Sequence, residues 1–347
     1  MALKKIAFLF NKVRTKQDIS KNHFYGMYGL REHGFTTTYL EVEHILPKRL
    51  CTLLRKKILT MHYAHLPLFP LFFAYDAIIT STAYASMIVF AALRSVGIHW
   101  FKWILLDFNI LGTIGSAGSF RQKLFKWSVS KVDAIVAISE AEKEGLQSMF
   151  PHLANKIVFI PEATDLELFS PTESSASGRG VLAVGTYGRD WKTLVEAVKG
   201  TDINLTIATK PRLVQDLLPL PHNVTARLYT PQEMKQLYSD ACAVVVPLNP
   251  DPSYVDSVGT LSVGEAMAMG KAVVVSRTKS MESYIQDGVN GIYVEPRNVE
   301  MMREVLLELV GNKEKQETIG KSARTYAETV LSDKNFSKHL ALLLQQL

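Results

Sequence analysis

The stretch SVGTLSVGEAMAMGKAVVVS, residues 257–276, decides how the rest of the chain is read. A small-residue turn gives way to an apolar segment, LSVGEAMAMG, which closes on Gly270 and runs into KAVVVS. Glycine at the end of such a segment stops a helix, and a short β-branched run reads as a buried strand. A helix feeding straight into a buried strand is half of a parallel crossover. One carboxylate, Glu265, stands in this otherwise uncharged helix. Acid near a helix amino end is favourable, so capping is one account of it; a ligand hydroxyl in need of an acceptor is the other.

The same alternation extends in both directions. Upstream in the second half, strands are expected at 181–188, 204–209, 223–229 and 242–247, with another at 291–296 downstream and helices from about 299 to 347. The first half repeats the pattern with KIAFLF (5–10), TTTYLEV (36–42), DAIITS (76–81), WILLDF (103–108), AIVAIS (134–139) and KIVFIP (156–161). Strands alternating with helices imply parallel sheets covered on both faces. The run FSPTESSASGRG (169–180) has no apolar period and is rich in turn formers, which marks a linker. The fold class is therefore α/β, with two doubly wound, Rossmann-like domains, 1–170 and 171–332. Two such sheets are expected to face a central cleft at the carboxyl ends of their strands, where ligands bind.

Composition limits the function classes. The 347 residues are 47% apolar and 21% charged, ordinary for a globular chain. Two distant cysteines, Cys51 and Cys242, form neither a disulfide framework nor a zinc pattern and fit a reducing cytoplasm. The apolar run at the amino end is too short for a signal peptide and reads as a first strand. The net charge of +6 is uneven: residues 1–130 hold 17 Lys and Arg against 6 Asp and Glu. No aromatic-interleaved basic motif points to nucleic acid. The apolar stretches 58–75 and 77–93 read as buried or interface-lying segments rather than spans, the first carrying two prolines. Residues 47–58 mix Lys and Arg with Leu and Ile, which suits either peripheral contact with an anionic membrane or a solvated helix with an ordinary core face.

Candidate chemistry gathers at expected carboxyl ends of strands in the second half. In VLAVGTYGRDWKTL a strand meets a helix through Gly185 and Gly188, which permit close backbone approach, and Arg189 is placed for a bidentate phosphate contact. A tight turn with a surface Arg is the competing account. Lys210 follows the next strand on the same rim, either as a second cation for a diphosphate or as an ordinary exposed lysine. Around Glu265, the small residues Gly259, Ser262 and Gly264 clear room for a ligand.

The block S-V-G-T-L-S-V-G-E-A-M-A-M-G-K-A-V-V-V-S, followed by ESYIQDGVNGIYVEPRN, resembles the donor-binding segment of the family-four retaining glycosyltransferases, which have the GT-B fold. Looser likenesses cover AIVAISEAEKEGLQSMFPHLANKIVFIPEATDLELFSP, AVGTYGRDWKTLVEA and YAETVLSDKNFSKHLALLL. The resemblance implies transfer of a sugar from a nucleotide-diphosphate donor, UDP-sugar favoured, to a saccharide or lipid-linked acceptor with retention. It implies no bound metal and no cofactor beyond that co-substrate. It also implies a last helix, about 333–347, that packs back on the first domain. Residue by residue, Glu265 would bind ribose hydroxyls, and the N–H groups of Thr260, Leu261 and Ser262 would meet the distal phosphate. Arg189 and Lys210 would hold the diphosphate, Leu228 and Tyr229 would lie near the base, and Asp287 to Gly291 would form a structural turn.

Two positions depart from the family pattern. Ser257 stands where the family has a Glu that contacts donor-sugar hydroxyls, with Asp256 out of register by one. The loop after the first strand carries Lys12, Arg14, Lys16 and Lys21 where the family often has paired glycines, which suits an anionic acceptor or simply a solvated loop. Near the anomeric centre the nearest candidates are Asp107 and Asn109, although Asp107 also suits a turn cap. Ser257 keeps a second reading open, a catalytically inactive nucleotide-sugar-binding protein; a nucleotide-sugar epimerase is a third.

Overall fold

The structure, a computed structural model, describes residues 4–10, 25–40, 68–81, 83–106, 110–111, 119–171, 180–250 and 258–347. They form two compact units, Met1–Ile160 with Phe336–Leu347, and Pro161–Asn335.

The first unit holds a parallel sheet of β1 (Lys5–Phe10), β2 (Thr36–Tyr39), β3 (Ala77–Ser81), β4 (Lys102–Leu106), β5 (Ala134–Ala137) and β6 (Ile157–Phe159), in the order β2-β1-β3-β4-β5-β6. Helices α1 (Tyr84–Ser95), α2 (Phe120–Val129) and α3 (Glu140–Met149) connect them. The second unit holds β7 (Gly180–Val184), α4 (Trp191–Val198), β8 (Asn204–Ala208), β9 (Val224–Arg227), α5 (Pro231–Asp240), β10 (Ala243–Val246), α6 (Thr260–Ala268), β11 (Ala272–Ser276), β12 (Ile292–Val294), α7 (Val299–Gly311) and α8 (Lys313–Thr329). Its sheet runs β12-β11-β10-β7-β8-β9, all parallel. The chain continues into α9 (Asp333–Gln346), whose residues from Phe336 onward belong to the first unit. There Phe336 meets Tyr25 with ring centroids 6.4 Å apart, and Gly26 at φ 74° leaves it room.

The valine runs explain the layering. Side chains alternate faces along a strand. Val244, Val246, Val273 and Val275 meet Val263, Ala266 and Met267 of α6 on one face. Val245 and Val274 meet Leu194, Val198 and Leu306 on the other. A strand buried on both faces needs apolar residues throughout, hence the unbroken runs. Helix starts follow local chemistry: Ser119 and Thr230 form capping boxes with Gln122 and Glu233, and Ser139, Asp190 and Asn298 each accept from the first turn.

Each expected strand has an observed counterpart, with shorter ends where backbone chemistry intervenes. β10 stops before Pro247, which has no N–H for the ladder, and β7 stops at Gly185, where φ is 144°. The expected domain boundary at 170 falls inside the second unit, because residues 161–171 are anchored there. Thr164 N–H donates to the Leu331 carbonyl, and Phe169 packs edge-on against Tyr238 at 5.8 Å. The apolar stretch 77–93 is β3 followed by most of α1. Among the described residues no helix is long and apolar enough to cross a membrane. Residues 47–58 and the basic loop carrying Lys12 to Lys21 lie outside the described residues.

Candidate functional site

In the second sheet β7 and β10 are neighbours, yet the chain leaving β7 returns on one side as β8 and the chain leaving β10 returns on the other as β11. That reversal is a topological switch point, where open α/β sheets leave a crevice for ligands. The two loops that start there are stitched together: Asp190 N–H donates to the Pro247 carbonyl at 2.9 Å, and Asn249 N–H to the Gly188 carbonyl at 3.0 Å.

The loop after β7 is shaped around Arg189. Its Nε donates to the Val184 carbonyl at 2.9 Å, Nη1 to the Tyr187 carbonyl at 2.8 Å and Nη2 to Ser262 Oγ at 3.0 Å. The guanidinium lies where a Cβ on Gly185 would collide with it. Burial lowers its proton affinity to about 10, partly offset by Tyr238, so it remains a cation at neutral pH. Sequence reasoning placed Arg189 here for a phosphate; three of its donors are already spent on the protein, tying the loop to the first turn of α6. Two of the five guanidinium N–H bonds remain outside those three contacts.

Helix α6 begins at this point. Its N-cap is Gly259, at φ 104°, which has no side chain to cap the first turn. A Cβ there would lie 2.9 Å from Leu248 Cδ2 and 3.2 Å from Val246 Cγ1, so glycine lets the helix start directly on the end of β10. Thr260 and Ser262 are buried, and Leu261 is half-buried. The Thr260 hydroxyl donates to Glu162 Oε2 at 2.5 Å.

Glu265 is the sixth residue of α6, beyond the first turn, so it is not a cap. It is half-buried, and its Oε2 accepts from the Tyr238 hydroxyl at 2.8 Å. Oε1 has no hydrogen-bond partner among the described residues. Burial raises the carboxyl to about 7; the Tyr238 hydrogen bond opposes this and the Glu162 charge adds to it. Gly264 lets α6 lie close to Thr164, whose Oγ1 a Cβ would strike.

Other expected residues are placed less centrally. Lys210 is exposed just beyond β8, and no hydrogen bond or ion pair joins it to Arg189, Ser262 or Glu265 among the described residues. Leu228 is exposed, and Tyr229 is half-buried under the Arg227 guanidinium, 3.7 Å from its ring centre. The 287–291 turn is held by Gly288 N–H to the Gly291 carbonyl and by Asp287 Oδ1 accepting from Tyr293 N–H. Asp107, Asn109, Asp256 and Ser257 lie outside the described residues. Sequence reasoning missed Tyr238 and Glu162. The first is camouflaged as a core position of an amphipathic helix; the second had a signal, a lone acid in the apolar run IVFIPEA.

Residues 181–312 match the family of Glycosyl transferases group 1. The matched segment contains β7 from Val181 onward, the Arg189 loop and all of α6. Curated relatives include an uncharacterized glycosyltransferase of Methanocaldococcus jannaschii, 24% identical over 59% of this chain and 57% of its own. Another is a D-inositol 3-phosphate glycosyltransferase of Nocardiopsis dassonvillei, 27% identical over 49% of this chain and 46% of its own. The chain thus spans about half the length of the curated relatives it matches. Solved structures match over nearly the whole chain. Sucrose-phosphate synthase from Thermosynechococcus elongatus has a TM-score of 0.74 at 18% identity, covering 99% of this chain and 98% of its own. Anabaena HepE in complex with UDP has 0.72 at 15% identity, covering 99% and 100%. The fold is GT-B.

Proposed function

We propose that the protein is a glycosyltransferase of the family-four retaining type, using a nucleoside diphosphate sugar, UDP-sugar favoured, to glycosylate a saccharide or lipid-linked acceptor. The observation that carries this reading is the meeting of three features at one switch point of the matched segment. They are a helix amino end without a side-chain cap, a half-buried guanidinium bonded to Ser262 of its first turn, and a carboxylate with one oxygen unpartnered among the described residues about one turn further on. HepE, a structural neighbour, has been solved with UDP and with UDP-glucose.

In this reading an acceptor hydroxyl oxygen bonds to the anomeric carbon as the bond from that carbon to the phosphate oxygen breaks; negative charge accumulates on the departing diphosphate, which takes up the hydroxyl proton and passes it to solvent. The amino end of α6 and Arg189 stabilise that charge, preorganised because the guanidinium is already fixed by Val184, Tyr187 and Ser262. Lys210 adds an exposed cation from the neighbouring strand end. Glu265 Oε1 accepts from a ribose hydroxyl while Oε2 stays on Tyr238. The anomeric configuration is retained.

A thermal-shift screen against UDP, GDP, ADP and CMP tests the donor reading, since a ligand bound only by the folded state raises Tm. UDP is expected to give the largest rise, and turnover of a UDP-sugar would separate a transferase from an inactive binder. No rise with any of the four nucleotides would refute the proposal.

A further inference from the structure

Glu162 is 8% exposed and is held from two elements. Its N–H donates to the Tyr284 hydroxyl at 2.9 Å, and its Oε2 accepts from Thr260 Oγ1 at 2.5 Å. Thr260 is the first residue of α6, so this carboxyl lies one side chain away from the helix end that the donor reading assigns to a phosphate. The groups facing it are Thr260 and Glu265 on α6 and the Tyr284 hydroxyl beyond the 281–283 turn. Arg189 reaches the same turn of α6 but bonds to Ser262. Burial lifts the Glu162 carboxyl to about 7, against the Thr260 hydrogen bond, so it crosses between neutral and charged in the neutral pH range. A carboxylate beside a helix amino end competes with any anion that seeks the same end.

We propose that Glu162 is a charge-selective residue of the donor site: ionised, it disfavours an extra negative charge at the amino end of α6 and so weakens binding of the nucleoside diphosphate relative to its sugar ester. The inference rests on the donor reading above. A terminal phosphate loses its second proton with a pKa near 6, whereas a phosphate esterified to sugar carries a single charge. After transfer, the product therefore holds one more charge than the donor at the position nearest Glu162, and the carboxylate favours its release.

The test is calorimetric titration of UDP and UDP-glucose into wild-type protein and Glu162→Gln at pH 8.5 and pH 6. Gln keeps the shape and an acceptor for Thr260. At pH 8.5 the variant is expected to bind UDP about tenfold more tightly than wild type, one pKa unit's worth of interaction, with a smaller change for UDP-glucose. At pH 6, where Glu162 is already neutral, the two proteins are expected to converge. Thr260→Val removes the hydrogen bond that lowers the carboxyl's proton affinity, so its UDP profile is expected to move to higher pH while the charge is kept. Equal UDP affinities at pH 8.5, or an equal change for both ligands, would overturn this role alone. Absence of UDP binding by either protein would overturn it together with the donor reading.

Discussion

Replacing Glu265 separates its two contacts. Gln retains an acceptor for the Tyr238 hydroxyl, so the fold should survive with little change in Tm. What it loses is the charged second oxygen that a ribose hydroxyl would meet: with its one oxygen on Tyr238, the amide presents an NH2 donor there instead. A hydrogen bond to a charged group contributes about 1.5–3 kcal/mol, so Glu265→Gln is expected to weaken UDP binding by roughly ten- to 150-fold. Ala removes the acceptor altogether. Tyr238 is fully buried, and its hydroxyl donates to Glu265. Leaving that hydroxyl unpaired costs about 1–3 kcal/mol, which corresponds to a fall in Tm of roughly 2–4 °C per kcal/mol. Tyr238→Phe with Glu265→Ala removes the orphaned hydroxyl and should recover part of that stability, but none of the nucleotide affinity. Calorimetry with UDP and differential scanning fluorimetry on the three variants separate the two effects. Wild-type UDP affinity in a folded Glu265→Gln protein would refute the assignment of this carboxylate to the nucleoside.

Two further outcomes follow from the packing. Arg189→Lys replaces a planar fork that makes three hydrogen bonds with a point charge that cannot reproduce them, so both Tm and UDP affinity should drop by the equivalent of about 1–3 kcal/mol; a variant with unchanged melting and binding would argue that the guanidinium is dispensable. Gly320 of α8 approaches the Gly270 carbonyl so closely that a Cβ would overlap the oxygen. Gly320→Ala should therefore lower Tm through the α8 contact with α6 while leaving the UDP affinity of the folded fraction intact, checked by titration below the melting range.

Much of the fold was legible because its signals are local. The valine runs at 244–246 and 273–275 and the glycine stop after Met269 each act over a few residues, and the order of strands and helices alone implies parallel sheets. Linker composition was a weaker guide. The linker at 169–180 places the division at 170, but Ala163 and Phe169 are buried in the second unit, which begins at Pro161. Turn formers describe a tendency of the backbone, whereas a unit boundary depends on where apolar side chains find partners.

For the site, sequence alone determined that a lone acid, a glycine-bounded arginine loop and a helix start lie after strands of one α/β unit. Only the tertiary structure decided what each charge touches. Arg189 spends three donors on Val184, Tyr187 and Ser262, Glu265 shares itself with Tyr238, and Glu162 arrives from about a hundred residues upstream to meet Thr260. The pairings of Arg189 with Ser262, Glu265 with Tyr238 and Glu162 with Thr260 join residues 27 to 98 positions apart. They exist because burial removes competing water, which no pattern of neighbouring residues encodes.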